Sequence, residues 1–244
     1  KFYGETISQL TFDLDYFNYA KDNKEFENSN SIKKDIIFDK VECNLGNKNI
    51  IKNLNLNISF GDKVLVLGKS GSGKTTFLKI LSGLTPITSG SIRTGKIINK
   101  NFLRFKESIS FLSQENFIVD KKSIFYNICL KDKMNATSKE INEFERIVKL
   151  TNLTELFEKL PFREETKLNE NGSNLSGGEK QRICLARCLC NKSKLLIMDE
   201  PFSSIDKHNS DEIFKKILNE TTNKTLILSN HKKIDLKCFN KIII

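Results

Sequence analysis

The stretch Gly68-Lys69-Ser70-Gly71-Ser72-Gly73-Lys74-Thr75-Thr76 fills every fixed position of the phosphate-binding loop pattern GxxxxGK[ST]. It lies between an apolar run at 63–67, typical of a buried strand, and apolar residues at helical spacing from 76 to 84. In such a loop the glycines let backbone N–H groups surround phosphates, and the helix N-terminus adds its positive dipole end. Lys74 adds a point charge, and the Thr75 hydroxyl can bind Mg²⁺. The stretch therefore predicts that these nine residues bind a nucleotide; the alternative is a glycine- and serine-rich turn that binds nothing.

Length and composition limit the class of protein. A chain of 244 residues can bury a core that is large enough to fold without disulfides. No window approaches the run of about 18 apolar residues that a membrane span requires, and the sequence does not start with a signal peptide. We therefore expect this stretch to be cytosolic in character, with any membrane partner outside it. The formal net charge of +10 would suit nucleic acid, but the lysines are dispersed among asparagines, so no nucleic-acid partner is expected.

Cysteine and histidine spacing gives no sign of a disulfide framework or a metal site. None of the cysteines forms a C-x-x-C pair, and the two histidines are far from metal-type spacings. We expect reduced, structural thiols throughout. The six cysteines are Cys43, Cys129, Cys184, Cys188, Cys190 and Cys238.

The N-terminal part of the chain predicts a helix, a linker and then a small antiparallel sheet. Apolar residues at helical spacing from residue 7 give way to a polar stretch at 21–34, so residues 1–34 are interpreted as a helix and linker or as a capping helix of the domain. Further strands are predicted at 36–41, at 54–60 and at 91–98, with a turn at 44–49 between the first two.

The remainder predicts helices followed by a parallel sheet. Helical patterns at 138–150 and 153–160 indicate a helical insertion over about 115–187. Apolar strands resume at 195–198 and 225–228, with a helix near 211–218 between them. The expected fold class is α/β: a P-loop core with a mostly parallel sheet, an antiparallel β subdomain and a helical subdomain.

The strand at 195–198 ends in a pair of carboxylates, Asp199 and Glu200. In a P-loop enzyme the first carboxylate can hold Mg²⁺ while the second orients and deprotonates water. Alone, such a pair is common and mostly structural. Together with the phosphate-binding loop it predicts nucleotide hydrolysis.

A second glycine motif lies between the phosphate-binding loop and the carboxylate pair, in Leu175-Ser176-Gly177-Gly178-Glu179-Lys180-Gln181-Arg182. Its LSGG core is a signature sequence, and here the chain resembles the nucleotide-binding domain of an ABC transporter. Gln114 matches the Q-loop glutamine of that family, Asp206 in Ser203-Ser204-Ile205-Asp206 matches the D-loop, and His231 matches the switch histidine. These motifs run in the family's order from Gly68 to His231.

The resemblance implies two such domains packed head to tail around two ATP molecules. Ser176, Gly177 and Gly178 offer a hydroxyl and N–H groups at a helix start, a second anion site that cannot serve the same phosphate as Lys74 within one compact chain. In the family this signature completes the ATP site of the second domain, whether identical or different. The implied cofactors are ATP and Mg²⁺. The implied roles are Mg²⁺ binding for Thr75, Gln114 and Asp199, phosphate neutralisation for Lys74, general base for Glu200 and γ-phosphate positioning for His231.

A further match narrows the resemblance to exporters. Thr166-Lys167-Leu168-Asn169-Glu170-Asn171-Gly172 resembles the TEVGERG-type segment that contacts the membrane domain in ABC exporters, with Glu170 at its glutamate position. Leu160-Pro161 fits the same comparison, and the N-terminal segment resembles the cytoplasmic end of an exporter's last transmembrane helix. This implies an ABC domain over 35–244 that works at the cytoplasmic face of a membrane with a transmembrane domain of the same or another chain.

One residue departs from the exporter pattern, and two other functions stay open. Leu45 takes the place of the aromatic residue that usually stacks on adenine, so the base has apolar contact without a π face. A soluble ABC-type ATPase acting on nucleic acid or ribosomes is one alternative, although neither coiled-coil arms nor tandem domains occur in this sequence. A regulatory domain that binds nucleotide without hydrolysing it is the other, and Glu200 and His231 argue against it.

Overall fold

The computed structural model describes residues 34–95, 97–98, 109–230 and 236–243. The strands in this part of the chain are β1 (Ile36–Leu45), β2 (Lys48–Ile58), β3 (Lys63–Val66), β4 (Ser89–Thr94), β5 (Ile97–Ile98), β6 (Ile109–Leu112), β7 (Leu195–Asp199), β8 (Thr225–Ser229) and β9 (Lys241–Ile243). They form a four-stranded antiparallel sheet in the order β2-β1-β4-β5 and a five-stranded parallel sheet in the order β6-β7-β8-β3-β9.

Helices follow the phosphate-binding loop and fill the region between β6 and β8. They are α1 (Lys74–Leu81), α2 (Ile124–Cys129), α3 (Ser138–Leu150), α4 (Thr154–Lys159), α5 (Gly177–Cys190) and α6 (Lys207–Glu220). Short 3₁₀ helices lie at Lys133–Asn135, Arg163–Glu165, Glu170–Gly172 and Leu236–Cys238. Within the described ranges, no helix combines the length and the apolar character needed to cross a membrane.

Two hydrophobic clusters cover the two faces of the parallel sheet. In β3, Val64 and Val66 pack with α1 and the antiparallel sheet, while Leu65 packs with the helices on the other face. Strands β7 and β8 divide their side chains in the same way. Because both faces are buried, these strands are continuous apolar runs in the sequence.

The parallel sheet brings four loops to one edge. Parallel strands share a carboxyl edge, and ligands of open α/β sheets bind in the crevice there. The phosphate-binding loop follows β3, Gln114 follows β6, Glu200 follows β7, and Asn230 follows β8. The fold therefore places the predicted site residues of the core at a single edge.

The predicted fold class is confirmed, and α3 has the predicted bounds. Several details were wrong or missed. The predicted turn at 44–49 and the predicted strand at 54–60 have other bounds, because β1 extends to Leu45 and β2 already begins at Lys48. Residues 91–98 do not form one strand, because Gly95 at φ 57 turns the chain back and pairs Thr94 with Ile97. The four-residue strand β6 was not predicted, since so short an apolar run carries little periodicity.

The cysteines in the structure are all free thiols, in agreement with the sequence. Cys184 and Cys188 are buried on α5, and burial raises the pKa of Cys188 to about 12, which keeps it protonated. The Sγ atoms of Cys129 and Cys190 lie 3.9 Å apart as two thiols. Residues 1–33 and His231 lie outside the described residues.

Candidate nucleotide-binding site

The phosphate-binding loop connects the end of β3 to the first residue of α1. Gly73 caps the helix with φ 95, a left-handed conformation that favours glycine. A Cβ atom at Gly73 would lie 2.9 Å from Cγ2 of Ile50 on β2. The loop therefore needs glycine at this position for both its backbone conformation and its close contact with the antiparallel sheet.

Lys74 places its ammonium group inside the loop. The residue is only 8% exposed, and its Nζ donates hydrogen bonds to the carbonyl oxygens of Gly68 at 2.8 Å and Lys69 at 3.0 Å. The loop is further closed by a hydrogen bond from the Ser72 N–H to the Lys69 carbonyl at 3.2 Å. The cation is thus held in position before any phosphate arrives.

A cavity of about 380 Å³ opens beside this loop. It combines loop and helix residues with side chains from two other strand ends. The amide Nε2 of Gln114 lies 3.4 Å from Oε2 of Glu200 across it. The structure therefore brings the phosphate-binding loop together with two of the predicted residues that lie far away in sequence. The lining residues are Ile50, Ser70, Gly71, Gly73, Lys74, Thr75, Thr76, Gln114 and Glu200.

Asp199 is 1% exposed and lies at the end of β7. Its Oδ1 accepts a hydrogen bond of 2.5 Å from the Ser229 hydroxyl, whose Oγ in turn accepts the Glu200 N–H at 3.0 Å. Its Oδ2 is buried without a hydrogen-bond partner among the described residues. Since a buried carboxylate oxygen is costly to leave unpaired, this atom fits a bound cation.

The surrounding donor set suits Mg²⁺. The ion prefers oxygen ligands, and the Thr75 hydroxyl, the Gln114 amide oxygen and the Asp199 carboxylate are all oxygen donors. Thr75 and Gln114 line the cavity, while Asp199 directly precedes Glu200, which also lines it. The residues present therefore fit the ion that the sequence predicted.

The signature residues lie at the start of α5 and do not line this cavity. Ser176 caps the helix: its Oγ accepts the Glu179 N–H at 3.3 Å, and Glu179 Oε2 accepts the Ser176 N–H and hydroxyl, each at 2.7 Å. Ser176 and Gly177 are exposed. A Cβ atom at Gly178 would lie 3.0 Å from the Ser204 carbonyl oxygen, so the helix start packs closely on the D-loop.

Asp206 caps the next helix, α6, and is exposed. Hydrogen bonds from the Asn209 backbone N–H at 3.0 Å and side-chain amide at 2.8 Å hold the pKa of the Asp206 carboxyl below its usual value. Asp206 therefore stays ionised at the surface, and it does not line the cavity either.

The adenine position predicted at Leu45 lies at the end of β1, where Leu45 pairs with Lys48. Leu45 is 49% exposed, and the apolar residue that lines the cavity is Ile50 on the neighbouring strand. Sequence reasoning did not identify Ile50. It also gave no role to Ser229 or Gln181, because their hydrogen bonds to Glu200 depend on tertiary contacts. For Ser229 one signal was visible in the sequence: it is a polar residue at the end of an apolar strand.

Comparison with known proteins identifies the family. The model of the ABC transporter family matches residues 51–203. The chain belongs to this family. The ABC nucleotide-binding domain inferred from the sequence is thereby confirmed.

Similar proteins include a transport/processing ATP-binding protein and an import ATP-binding protein. The lacticin-481/lactococcin-DR transport/processing ATP-binding protein of Lactococcus lactis is 35% identical over 99% of this chain and 33% of its own length. The thiamine import ATP-binding protein of Histophilus somni is 31% identical over 75% of this chain and 83% of its own. In fold, the chain is similar to an ATP-bound bacterial Atm1-family ABC exporter, with a TM-score of 0.74, 23% identity, and coverage of 93% of this chain and 41% of the other. The chain thus spans about a third of the first relative.

Replacing Lys74 with alanine should weaken ATP binding on the order of 30- to 100-fold, since charge-assisted hydrogen bonds contribute about 2 to 3 kcal/mol. A titration with a fluorescent ATP analogue measures this. Lys79→Ala removes a cation from the last turn of the same helix and should leave binding unchanged. Equal affinity in the Lys74 variant and the wild type would contradict the site assignment.

Replacing Leu45 with tyrosine should tighten ATP binding several-fold, because stacking on an aromatic ring contributes about 1 kcal/mol that leucine cannot supply fully. The same titration tests it. Met134→Tyr adds a ring at a position that is 90% exposed and away from the cavity, and should have no effect. If Leu45→Tyr leaves the affinity unchanged, the base is held elsewhere, and Ile50 is then the first residue to test.

Proposed function

We propose that this chain is the ATP-hydrolysing domain of an ABC exporter, in which ATP-driven head-to-tail dimerisation and hydrolysis are coupled to substrate transport. The observation that carries the proposal is the cavity in which the phosphate-binding loop meets Gln114 and Glu200. Beside it lies the Asp199 oxygen that has no hydrogen-bond partner in the described part of the chain. Members of the family are generally ATPases. The arrangement supports hydrolysis in addition to binding because it offers a base as well as a phosphate cradle.

In the proposed reaction the loop binds the phosphates and Glu200 activates water. The loop N–H groups, the N-terminus of α1 and the Lys74 ammonium stabilise negative charge on the phosphate oxygens. The Glu200 carboxylate takes a proton from water as the water oxygen attacks the γ-phosphorus. The bond from that phosphorus to the bridging oxygen breaks, which releases ADP and phosphate.

Two further groups complete the proposed site. A bound Mg²⁺ would supply positive charge against the phosphate oxygens, and Thr75, Gln114 and Asp199 are the residues that would hold it. His231 would position the γ-phosphate. In the sequence it is the second residue after the end of β8.

The proposed partner is a second nucleotide-binding domain. The start of α5 is exposed, carries N–H donors and the Ser176 hydroxyl, and lies outside the chain's own cavity. Such a helix start can bind an anion that another molecule presents. We propose that Ser176, Gly177 and Gly178 contact ATP held by the partner and that exposed Asp206 lies at the same interface.

The second proposed partner is a transmembrane domain, which would hold the chain at the cytoplasmic face of a membrane. Glu170 and its neighbours are the segment proposed to contact it, and Glu170 is exposed in its 3₁₀ helix. The relatives named for transport support this partner. In this proposal residues 35–244 are the nucleotide-binding domain, with a helical subdomain at about 115–187, and residues 1–34 lead in from the membrane part.

Replacing Glu200 with glutamine should abolish ATP turnover but keep ATP binding, since the amide cannot accept the proton from water. With ATP uncleaved, dimers should accumulate in gel filtration. Phosphate release measures turnover. Glu115→Gln removes the same charge from an exposed neighbour of Gln114 and should retain activity. Undiminished turnover in the Glu200 variant, with no ATP-dependent dimer, would rule out this base.

Mixing two inactive variants should restore activity if each site is shared between two chains. Lys74→Ala damages the phosphate-binding loop that one chain contributes to a site, and Ser176→Arg damages the signature that the other chain contributes. A mixed dimer therefore has one site with both substitutions and one intact site. Random pairing gives about half mixed dimers, and therefore about a quarter of normal turnover if the sites act independently. Turnover should also rise faster than linearly with protein concentration.

The control for this experiment is Thr137→Arg. Thr137 caps α3 with the same pair of bonds to Glu140 that Ser176 makes to Glu179, so this change costs an equivalent helix cap without touching the signature. It should stay active. A fully active Ser176→Arg protein with linear concentration dependence would contradict the shared site.

A further inference from the structure

Gln181 lies on α5 and is 1% exposed. Its Nε2 donates hydrogen bonds to the Glu200 carbonyl oxygen at 3.0 Å and to the Ser203 Oγ at 2.9 Å. Its Oε1 accepts the Ser204 N–H at 2.6 Å. Both donors and the acceptor of one buried amide therefore bind the turn that follows β7.

Glu200 has an unusual backbone conformation. Its φ is 49, in the left-handed region that residues other than glycine rarely adopt. Its N–H donates to the Ser229 hydroxyl at 3.0 Å, and its carbonyl accepts from Gln181. Side chains from β8 and α5 thus hold the backbone from both sides. The conformation directs the carboxylate into the cavity, where it meets Gln114.

We infer that Gln181 is a positioning residue for the base Glu200, and that it links the signature helix at one ATP site to the base of the other. This inference rests on the proposed function, which makes Glu200 the base and assigns Ser176 to the partner's ATP. Gln181 lies five residues after Ser176, within the second turn of the same helix. A displacement of the helix start by the partner's ATP is transmitted through the amide to the carbonyl of Glu200.

Simple filling of the core does not account for this residue. A methionine would occupy a similar volume without these hydrogen bonds, whereas the glutamine uses both N–H donors and its carbonyl oxygen on the turn at 200–204. Strained backbone at a reacting residue persists only when its surroundings fix it. Loss of the amide should therefore release Glu200 toward ordinary backbone conformations while its carboxylate stays present.

The test is Gln181→Met, made in the full-length protein. We expect kcat for ATP to fall on the order of 10- to 100-fold, as for a misplaced catalytic group, with the Kd for ATP unchanged within about twofold. Gln181→Leu removes the same hydrogen-bonding groups with a different shape and without burying a charge, so it should also lower kcat and leave the Kd for ATP unchanged. It replaces Gln181→Met as the test if that variant does not fold.

Combination with Glu200→Gln separates positioning from general damage. If Gln181 acts through Glu200, adding Gln181→Met to Glu200→Gln should not lower the residual single-turnover rate by more than about twofold. Asn127→Leu is the matched control. Asn127 is a fully buried amide on α2 that hydrogen-bonds to Val119, to Ser123 and to Arg187 at the far end of α5, and no hydrogen bond to Glu200 is found among the described residues. Any rate loss that it causes should multiply with that of Glu200→Gln.

Two results would overturn the inference, and they are distinguishable. If Glu200→Gln hydrolyses ATP as the wild type does, the proposed base fails and the inference fails with it. If Glu200→Gln is inactive but Gln181→Met keeps the kcat of the wild type, the inference alone fails and the proposed function stands. The same conclusion follows if Gln181→Met lowers the residual rate of Glu200→Gln by the same factor by which it lowers the rate of the wild type.

Discussion

The register of the parallel sheet is the constraint on which the rest of the site depends. Backbone hydrogen bonding aligns Asp199 of β7 with Ser229 of β8 and aligns Ser229 with Val66 of β3. Three strand ends therefore stop at one level, and the loops that follow them open on the same crevice. A shift of β8 by one residue would turn the Ser229 hydroxyl to the opposite face of the sheet. Asp199 would then lose the hydrogen bond on Oδ1, and the Glu200 N–H would lose its acceptor.

Charge placement follows from this alignment. A buried carboxylate and a buried ammonium both need partners, and the site gives each of them an incomplete set. Lys74 is bound by loop carbonyls, which carry only partial charge, and Asp199 has one oxygen bound and one unpaired among the described residues. Both groups are therefore fixed in position yet still favour an additional ligand of opposite charge. This is electrostatic preorganisation of the kind that stabilises phosphates and their metal ion without rearrangement of the site.

Local chemistry explains how much the sequence predicted. The bounds of α3 were correct because the apolar spacing from which they were predicted is local, and so is the Thr137–Glu140 capping box that starts the helix in the structure. The phosphate-binding loop was recognisable for the same reason. Contacts between distant segments were not predictable. Ile50 of the antiparallel sheet packs against Gly73 in the loop after β3, and Gln181 of α5 bonds to Glu200 in the turn after β7. Both residues looked ordinary in the sequence because their roles depend on tertiary packing.

The starts of α3 and α5 have the same kind of capping box, but only the start of α5 packs against the turn that carries Glu200. Gly178 allows α5 to approach the Ser204 carbonyl, and Gln181 binds the N–H of the same residue. The exposed start of α5 is therefore fixed to the turn that carries Glu200. Within a single chain this attachment would have little use, because the start of α5 does not line the chain's own cavity. In the proposed head-to-tail dimer the attachment has a use. The anion bound at the start of α5 belongs to one ATP site, and about one turn of helix and the Gln181 amide connect it to Glu200, the base of the other site.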